Sequence, residues 1–339
     1  METTLVDAEE AGLRLDRWFK RHFPELGHGP LEKLLRTGQV RVDGKRAKSS
    51  DRIEAGQAIR IPPQLSGAQT AAEDKQQAGE TLPSQADRKF MQALVMYEDP
   101  QLFVLNKPSG LPTQGGSGIT RHIDGLLVAL QGKKRHRPRL VHRLDRDTSG
   151  VLLVARTQKA AADLSESLRR RDAQKIYWAL TKGVPKPLRG TINLALAKEQ
   201  GFGASGRDER MAPADEGDEG AKTATTHYAV MDQAGSEYAF VALKPVTGRT
   251  HQIRAHLAAI GTPIVGDFKY GGADAKGMGQ LEDRLHLHAR SIDIAHPEEV
   301  GRRLKITAPL PPHMRKAWEL LGFDLEDVRD PFAVPRRKK

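Results

Sequence analysis

Residues 64–88, QLSGAQTAAEDKQQAGETLPSQADR, constrain the fold more than any other stretch of the chain. Leu65 and Leu82 are its only large apolar side chains. Such a composition buries too little surface to offset the entropy of ordering it. The segment is therefore expected to be a flexible linker, and one continuous core through all 339 residues is excluded. The expected plan is a small unit over 1–63, the linker, a large unit over 89–330 and a basic tail over 331–339.

Charge narrows the partners. Lys and Arg number 54 against 43 Asp and Glu, a formal charge of +11. That balance favours a polyanion: nucleic acid first, an anionic membrane surface second. Aromatics are only 5% of the chain, too few for a protein that stacks many bases. The absence of cysteine removes disulfides, thiol nucleophiles, iron–sulfur clusters and thiolate zinc sites, and it fits a reducing compartment. The first residues, METTLVDAEEAGLRLD, carry no apolar signal region. No apolar run approaches the ~18 residues of a spanning helix. A cytoplasmic protein without membrane contact is expected.

In the small unit, Leu15, Trp18 and Phe19 lie at i, i+3, i+4, and Leu31, Leu34 and Leu35 repeat that helical stripe before Gly38. Gln39-Val40-Arg41-Val42 alternates into Asp43-Gly44, a tight-hairpin signal, and Ala58-Ile59-Arg60-Ile61 alternates again. Ten Lys or Arg and four Asp or Glu fall between residues 14 and 48. The unit resembles the S4 RNA-binding domain through Arg14-Leu15-Asp16 and Gly38-Gln39-Val40-Arg41-Val42-Asp43-Gly44-Lys45. His28-Gly29-Pro30 departs from the Ser and Arg that usually open the second helix of that domain. The resemblance implies RNA contacts from Arg14, Arg17, Lys33, Arg36, Arg41 and Lys45.

The large unit shows apolar strand-like runs at 102–105, 151–155, 176–180, 226–230 and 239–243, and helical spacing at 158–171 and 250–260. Strands joined by loops, with few regular strand–helix–strand units, favour an α+β fold. Residues 198–221 read as an exposed loop.

One polar loop enters an apolar strand: His142-Arg143-Leu144-Asp145-Arg146-Asp147-Thr148-Ser149-Gly150, followed by VLLVA. Asp145 lies between Arg143 and Arg146, so its carboxylate would be held ionised. Residue types alone leave it open as a structural ion pair, a nucleophile, a base or a metal ligand.

The spacing His-Arg-Leu-Asp-x-x-Thr-Ser-Gly resembles the signature of the RluA-type family of RNA pseudouridine synthases. Seven residues at fixed spacing arise by chance about once in a billion start positions. Four more blocks agree in order: 104–111, 174–180, 245–254 with His256, Leu257, Gly266 and Asp267, and 285–289 with His296-Pro297. The Gly115-Gly116-Ser117-Gly118 insertion and the Asp145/Asp147 pairing are most similar to the branch of that family, designated C, that acts on the large ribosomal RNA. The resemblance implies a mixed, mainly antiparallel sheet domain that turns uridine into pseudouridine in large-subunit ribosomal RNA, as a monomer. The N1–C1′ bond breaks, the uracil turns, and C5 bonds to C1′; no cofactor or metal is expected.

By the same resemblance Asp145 acts on the glycosidic step, either attacking C1′ or removing the 2′ proton. Arg249 would pair with it. Tyr177 would stack under the uracil and take the C5 proton. Arg143 would fill the space left by the flipped base, next to His142, while Ile253 and Leu285 wall the pocket. Lys133, Lys134, Arg135, Arg137 and Arg139 would form a phosphate rail. Two other readings compete. His251, His256, His286 and His288 with Asp145 and Asp147 suggest a metal-dependent hydrolase, but their i+5 and i+2 spacings do not put two ligands on one helix face. The alternative of another class is a non-catalytic S4-type RNA-binding or ribosome-assembly protein.

Overall fold

The computed structural model describes residues 2–7, 10–23, 26–65, 83–116, 118–132, 137–170, 172–199, 210–215, 217–327 and 329–332. The chain divides into two compact units, Met1–Pro83 and Ser84–Lys339. Most of the expected linker, the first three rail residues and the basic tail from 333 lie outside the described residues. Among the described residues no helix is long and apolar enough to cross a membrane.

The first unit contains β1 (Glu2–Leu5), α1 (Leu15–His22), α2 (His28–Arg36), β2 (Arg41–Val42) and β3 (Ala58–Ile61). Its antiparallel sheet has the order β1-β3-β2. The two helical stripes supply the core: Leu15, Trp18, Phe19, Leu31, Leu34 and Leu35 are buried with Ile59 and Ile61. Asp43 and Gly44 both adopt positive φ (48° and 75°), which makes the expected tight turn. Val42 and Lys45 close the turn by exchanging two backbone hydrogen bonds, at 3.0 and 2.9 Å, and beyond that bridge the strand partner of β2 is β3. The Asp43 carboxylate ties the turn to that strand by accepting the Ala58 N–H at 2.8 Å.

The second unit opens with α3 (Gln85–Ala93), which begins inside the stretch 64–88 expected as linker. Ser84 caps it by accepting the Asp87 N–H at 3.0 Å, so Ser-x-x-Asp marks a helix start there. The chain continues through β4 (Val95–Glu98), β5 (Leu102–Lys107), α4 (Ile123–Leu126), β6 (Arg139–Leu140), β7 (Ser149–Ala155) and α5 (Gln158–Arg169). Then come β8 (Gln174–Lys182), β9 (Arg189–Asn193), β10 (Leu196–Lys198), β11 (Met211–Pro213), β12 (Thr225–Ala234) and β13 (Tyr238–Pro245). The last elements are α6 (Gln252–Ala259), α7 (Phe268–Gly271), β14 (Leu287–Ala295), β15 (Arg303–Thr307) and α8 (Pro312–Leu321). The fold is α+β, as expected.

Ten strands form one mixed sheet in the order β4-β5-β7-β14-β8-β13-β12-β9, with β15 on β14 and β6 on β7. All its pairs are antiparallel except β7 with β14. The apolar run of β7 is buried on both faces: Leu152 and Val154 pack in one cluster, Val151 and Leu153 in another. That two-sided burial is why the run reads as continuous rather than alternating. Gly150 makes the parallel contact possible. Its φ is 109°, and a Cβ there would lie 2.2 Å from the Ala289 carbonyl oxygen. The first half of β14 thus bridges β7, which follows the Asp145 loop, and β8, which carries Tyr177.

Candidate active site

The Asp145 loop is held from beneath by the 104–113 block. Lys107 is fully buried, and its ammonium donates to the carbonyls of Pro108, Leu111 and Arg146 at 2.9, 2.7 and 2.9 Å. Burial pushes this lysine down to about 7, against the pull of Asp147 and Asp145. Ser109 donates to the Asp147 carbonyl at 2.8 Å, and Thr113 to the Leu144 carbonyl at 2.6 Å. The Thr148 N–H closes the turn on the Asp145 carbonyl at 3.2 Å. Two blocks some forty residues apart thus meet, one as the seat of the other.

Above that seat lies a cavity of about 340 Å³. It gathers Arg143, His142, Asp145, Thr148, Lys175, Tyr177, Arg249, His251, Ile253, Arg254 and Leu287 among its lining. Most of the residues singled out for the chemistry therefore face one space. A second groove, of about 580 Å³, runs past Lys182, Glu237, Pro263, Tyr270 and Asp274, and Asp145 does not line it. Its Lys182 and Glu237 face each other at 4.0 Å, and it assembles no comparable chemistry.

The arginine facing Asp145 is Arg254, not Arg249. Arg249 is exposed and donates through Nε to the Thr223 carbonyl at 3.2 Å. Arg254 is buried, with Nη1 4.0 Å from Asp145 Oδ2. It grips Asp267 with both prongs, Nε to Oδ2 at 2.8 Å and Nη2 to Oδ1 at 2.7 Å. Burial alone would lower the guanidinium, but Asp267 and then Asp145 raise it above its ordinary value. The helix start decides between the two arginines. Gln252 opens α6 by accepting the Arg249 N–H and the Thr247 hydroxyl and donating to Thr225 and Thr226, so Arg249 stays on the turn and Arg254 is carried inward. Gly266, at φ 77°, brings Asp267 under the helix, where a Cβ would sit 1.9 Å from the Arg284 carbonyl oxygen.

Tyr177 lines the cavity half-buried. Burial, and then the Asp145 charge, raise its phenol above the ordinary value. A phenol held protonated suits stacking, and taking the C5 proton would require it first to give up its own. Arg143 stands exposed at the rim with no ion pair among the described residues. His142 accepts the Leu153 N–H on Nε2 at 2.9 Å, and burial keeps it neutral, down to about 3. Ile253 is a wall of the cavity. Leu285 is not: it is buried beside Ile253 in the core, and Leu287 takes the wall position. Two residues of extended chain, about 6.6 Å, separate them.

Sequence reasoning gave Lys175 and Thr148 no part in this cavity, and named His251 only in the competing metal-ligand reading. Lys175, two positions before Tyr177 on β8, lines the cavity with no anion partner among the described residues, and burial lowers it. Thr148 is buried, with no hydrogen-bond partner for its hydroxyl among the described residues. His251 sits at φ 52°, a left-handed conformation, with Nε2 3.9 Å from Asp145 Oδ2. The other histidines are core residues. His256 bonds Thr226 and the Leu194 carbonyl, His288 bonds Ser149 and the Ala308 carbonyl, and His286 bonds the Arg284 carbonyl. They do not converge on Asp145.

In the first unit the six expected RNA contacts divide. Arg14 is paired with Asp16 at 2.6 Å, and Arg41 bonds the carbonyls of Gly38 and Gly44. Arg17, Lys33, Arg36 and Lys45 are exposed with no ion pair among the described residues. Of the described rail residues, Arg137 is tied to Asp124 at 3.2 Å.

Comparison with known proteins gives a consistent answer. Residues 101–259 match the RNA pseudouridylate synthase family. Ribosomal large subunit pseudouridine synthase C of Salmonella typhi is 37% identical over 93% of this chain and 95% of its own length. RNA pseudouridine synthase 4, mitochondrial, of Arabidopsis thaliana is 34% identical over 91% of this chain and 80% of its own. Among solved structures, human RNA Pseudouridylate Synthase Domain Containing 4 aligns with a TM-score of 0.59 and 28% identity, covering 71% of this chain and 99% of that one.

Proposed function

The chain belongs to the RNA pseudouridylate synthase family, and from that premise we propose that it isomerises uridines of large-subunit ribosomal RNA, with Asp145 as the reacting carboxylate. The observation that carries this reading is the single cavity lined by Asp145, Tyr177, Arg143 and Arg254. The substrate class is supported by relatives that are ribosomal large subunit pseudouridine synthases and align along nearly their whole length.

Each group has a physical task. Arg254 is fixed by Asp267 and holds its guanidinium charge 4.0 Å from Asp145. Asp145 meets the ribose, at C1′ or at the 2′ proton. Tyr177 supplies a ring face for the uracil, and its hydroxyl stays a donor. Arg143, exposed at the rim, stacks into the space vacated by the flipped nucleotide. Arg249 and Lys175 are cations on the same cavity and meet the phosphates on either side of the target. The first unit serves as an S4-type RNA-holding module through Arg17, Lys33, Arg36 and Lys45. The reading extends to a cytoplasmic, monomeric enzyme, checked by cell fractionation and sedimentation.

The test is a pseudouridine map of ribosomal RNA from cells lacking the chain. One or a few large-subunit sites are expected to vanish and to return with the wild-type chain but not with Asp145→Asn. Loss confined to transfer RNA refutes the substrate.

A further inference from the structure

His251 stands beside the reacting carboxylate, its Nε2 3.9 Å from the same Asp145 Oδ2 that Arg254 Nη1 approaches at 4.0 Å, and its surroundings decide which ring nitrogen carries hydrogen. The Met211 N–H donates to the Tyr270 hydroxyl oxygen at 2.9 Å. The same oxygen lies 2.9 Å from His251 Nδ1. The oxygen already accepts that N–H, and Nδ1 is the acceptor these contacts offer to the phenol's own hydrogen, so donation from Tyr270 to Nδ1 is the arrangement that satisfies both groups. Tyr270 is pushed up to about 12, chiefly by burial, so it keeps that hydrogen through the neutral range. An imidazole that accepts at Nδ1 carries its hydrogen on Nε2, and Nε2 is the atom 3.9 Å from Asp145 Oδ2.

The backbone supports a dedicated role. His251 holds φ 52° and ψ 18° directly before α6, a conformation that costs a non-glycine residue of order 1 kcal/mol. It is kept there while the next residues deliver Ile253 and Arg254 to the same cavity.

We propose that His251 is a positioning residue for Asp145: Tyr270 fixes its tautomer, and its Nε2–H orients Oδ2 when a nucleotide closes the site. Shortening 3.9 Å to a hydrogen bond takes about 1 Å of side-chain movement. The charged groups around His251 are Asp145 on the catalytic loop, Arg254 on α6, Asp267, and Lys269 on α7. Burial, with Arg254 and Lys269, lowers the imidazole against the pull of the two carboxylates and keeps it a single-hydrogen donor. The inference rests on Asp145 being the reacting carboxylate.

Two measurements on the full chain test it. Ring nitrogen-15 spectra near pH 7.5, assigned with His251→Gln, are expected to show hydrogen on Nε2 of His251. In Tyr270→Phe that population is expected to become mixed. Hydrogen on Nδ1, a doubly protonated ring, or a Tyr270→Phe spectrum like wild type overturns the tautomer assignment, with no substrate needed. The second measurement is tritium release from C5-labelled uridine in unmodified large-subunit ribosomal RNA. His251→Gln keeps an N–H donor near the Nε2 position and should lower kcat about fivefold, and His251→Met about fiftyfold, with KM within about twofold in both. Both variants carry the same backbone strain, so equal losses overturn the positioning role. If wild type releases no tritium while the spectrum stands, the substrate assignment fails instead.

Discussion

The surface of the first unit and the interior of the second handle positive charge in opposite ways. In the first, Arg17, Lys33, Arg36 and Lys45 stand on the surface without ion partners among the described residues. In the second, Arg254 and Lys107 are buried and satisfied, one by two bonds to a carboxylate and the other by three carbonyls. Exposed charges are cheap, mobile and interchangeable, and they suit a backbone whose phosphates repeat. Buried charges are costly to hold and fixed in direction, which suits one reacting bond. The difference separates holding an RNA from turning over one of its nucleotides.

Asp145→Asn should break the second function and spare the first. Tritium release is expected to fall by about 10⁴-fold or more, with RNA affinity within about twofold. Unchanged turnover would remove Asp145 from the chemistry. Arg254→Leu comes next. It leaves Asp267 buried without its partner, at about 3–5 kcal/mol of stability, and urea unfolding should show that loss alongside a fall in kcat. A variant as stable as wild type would mean the pair is not needed to hold α6.

Replacing Arg17, Lys33, Arg36 and Lys45 together by Gln sharpens the contrast from the other side. RNA binding should weaken about tenfold to a hundredfold, and its logarithmic salt slope should flatten by about 3, with kcat retained. An unchanged slope would clear this face of phosphate contacts. The smallest effect concerns acid. His286 and His288 are pushed down to about 4 and about 3, chiefly by burial. Neutral imidazole is the folded form, while the unfolded chain gains protons below its ordinary 6.5. Stability is therefore whole above about pH 6.5 and declines as the pH falls toward 4. The urea midpoint followed over that range should fall, and less steeply in His288→Gln.

The legible parts of the molecule were those governed by local rules. The helical stripes at Leu15/Trp18/Phe19 and Leu31/Leu34/Leu35 and the buried runs of β5, β7, β8, β12 and β13 depend on period and apolarity, and they appear where expected. The loop around Asp145 was legible because its spacing is rigid. What sequence did not give was choice between neighbours. Arg249 and Arg254 share one block, and only the point where α6 begins decides which points inward. Leu285 and Leu287 share one run, and the strand's position against Ile253 decides which is wall. His251 has no periodic signal, because its role comes from Tyr270, nineteen residues on.

The placing of β14 sets an order in time. Without it, β4, β5 and β7 form one sheet fragment, β8, β13, β12 and β9 another, and no strand ladder among the described residues joins them. Asp145 leads into the first fragment and Tyr177 stands on the second. A ribosome making this chain must deliver residues 287–289 before the two halves can be zipped side by side. Such sequence-distant pairing is slow to form. The strand that joins the Asp145 half of the sheet to the Tyr177 half is therefore the last but one of the sheet to be made.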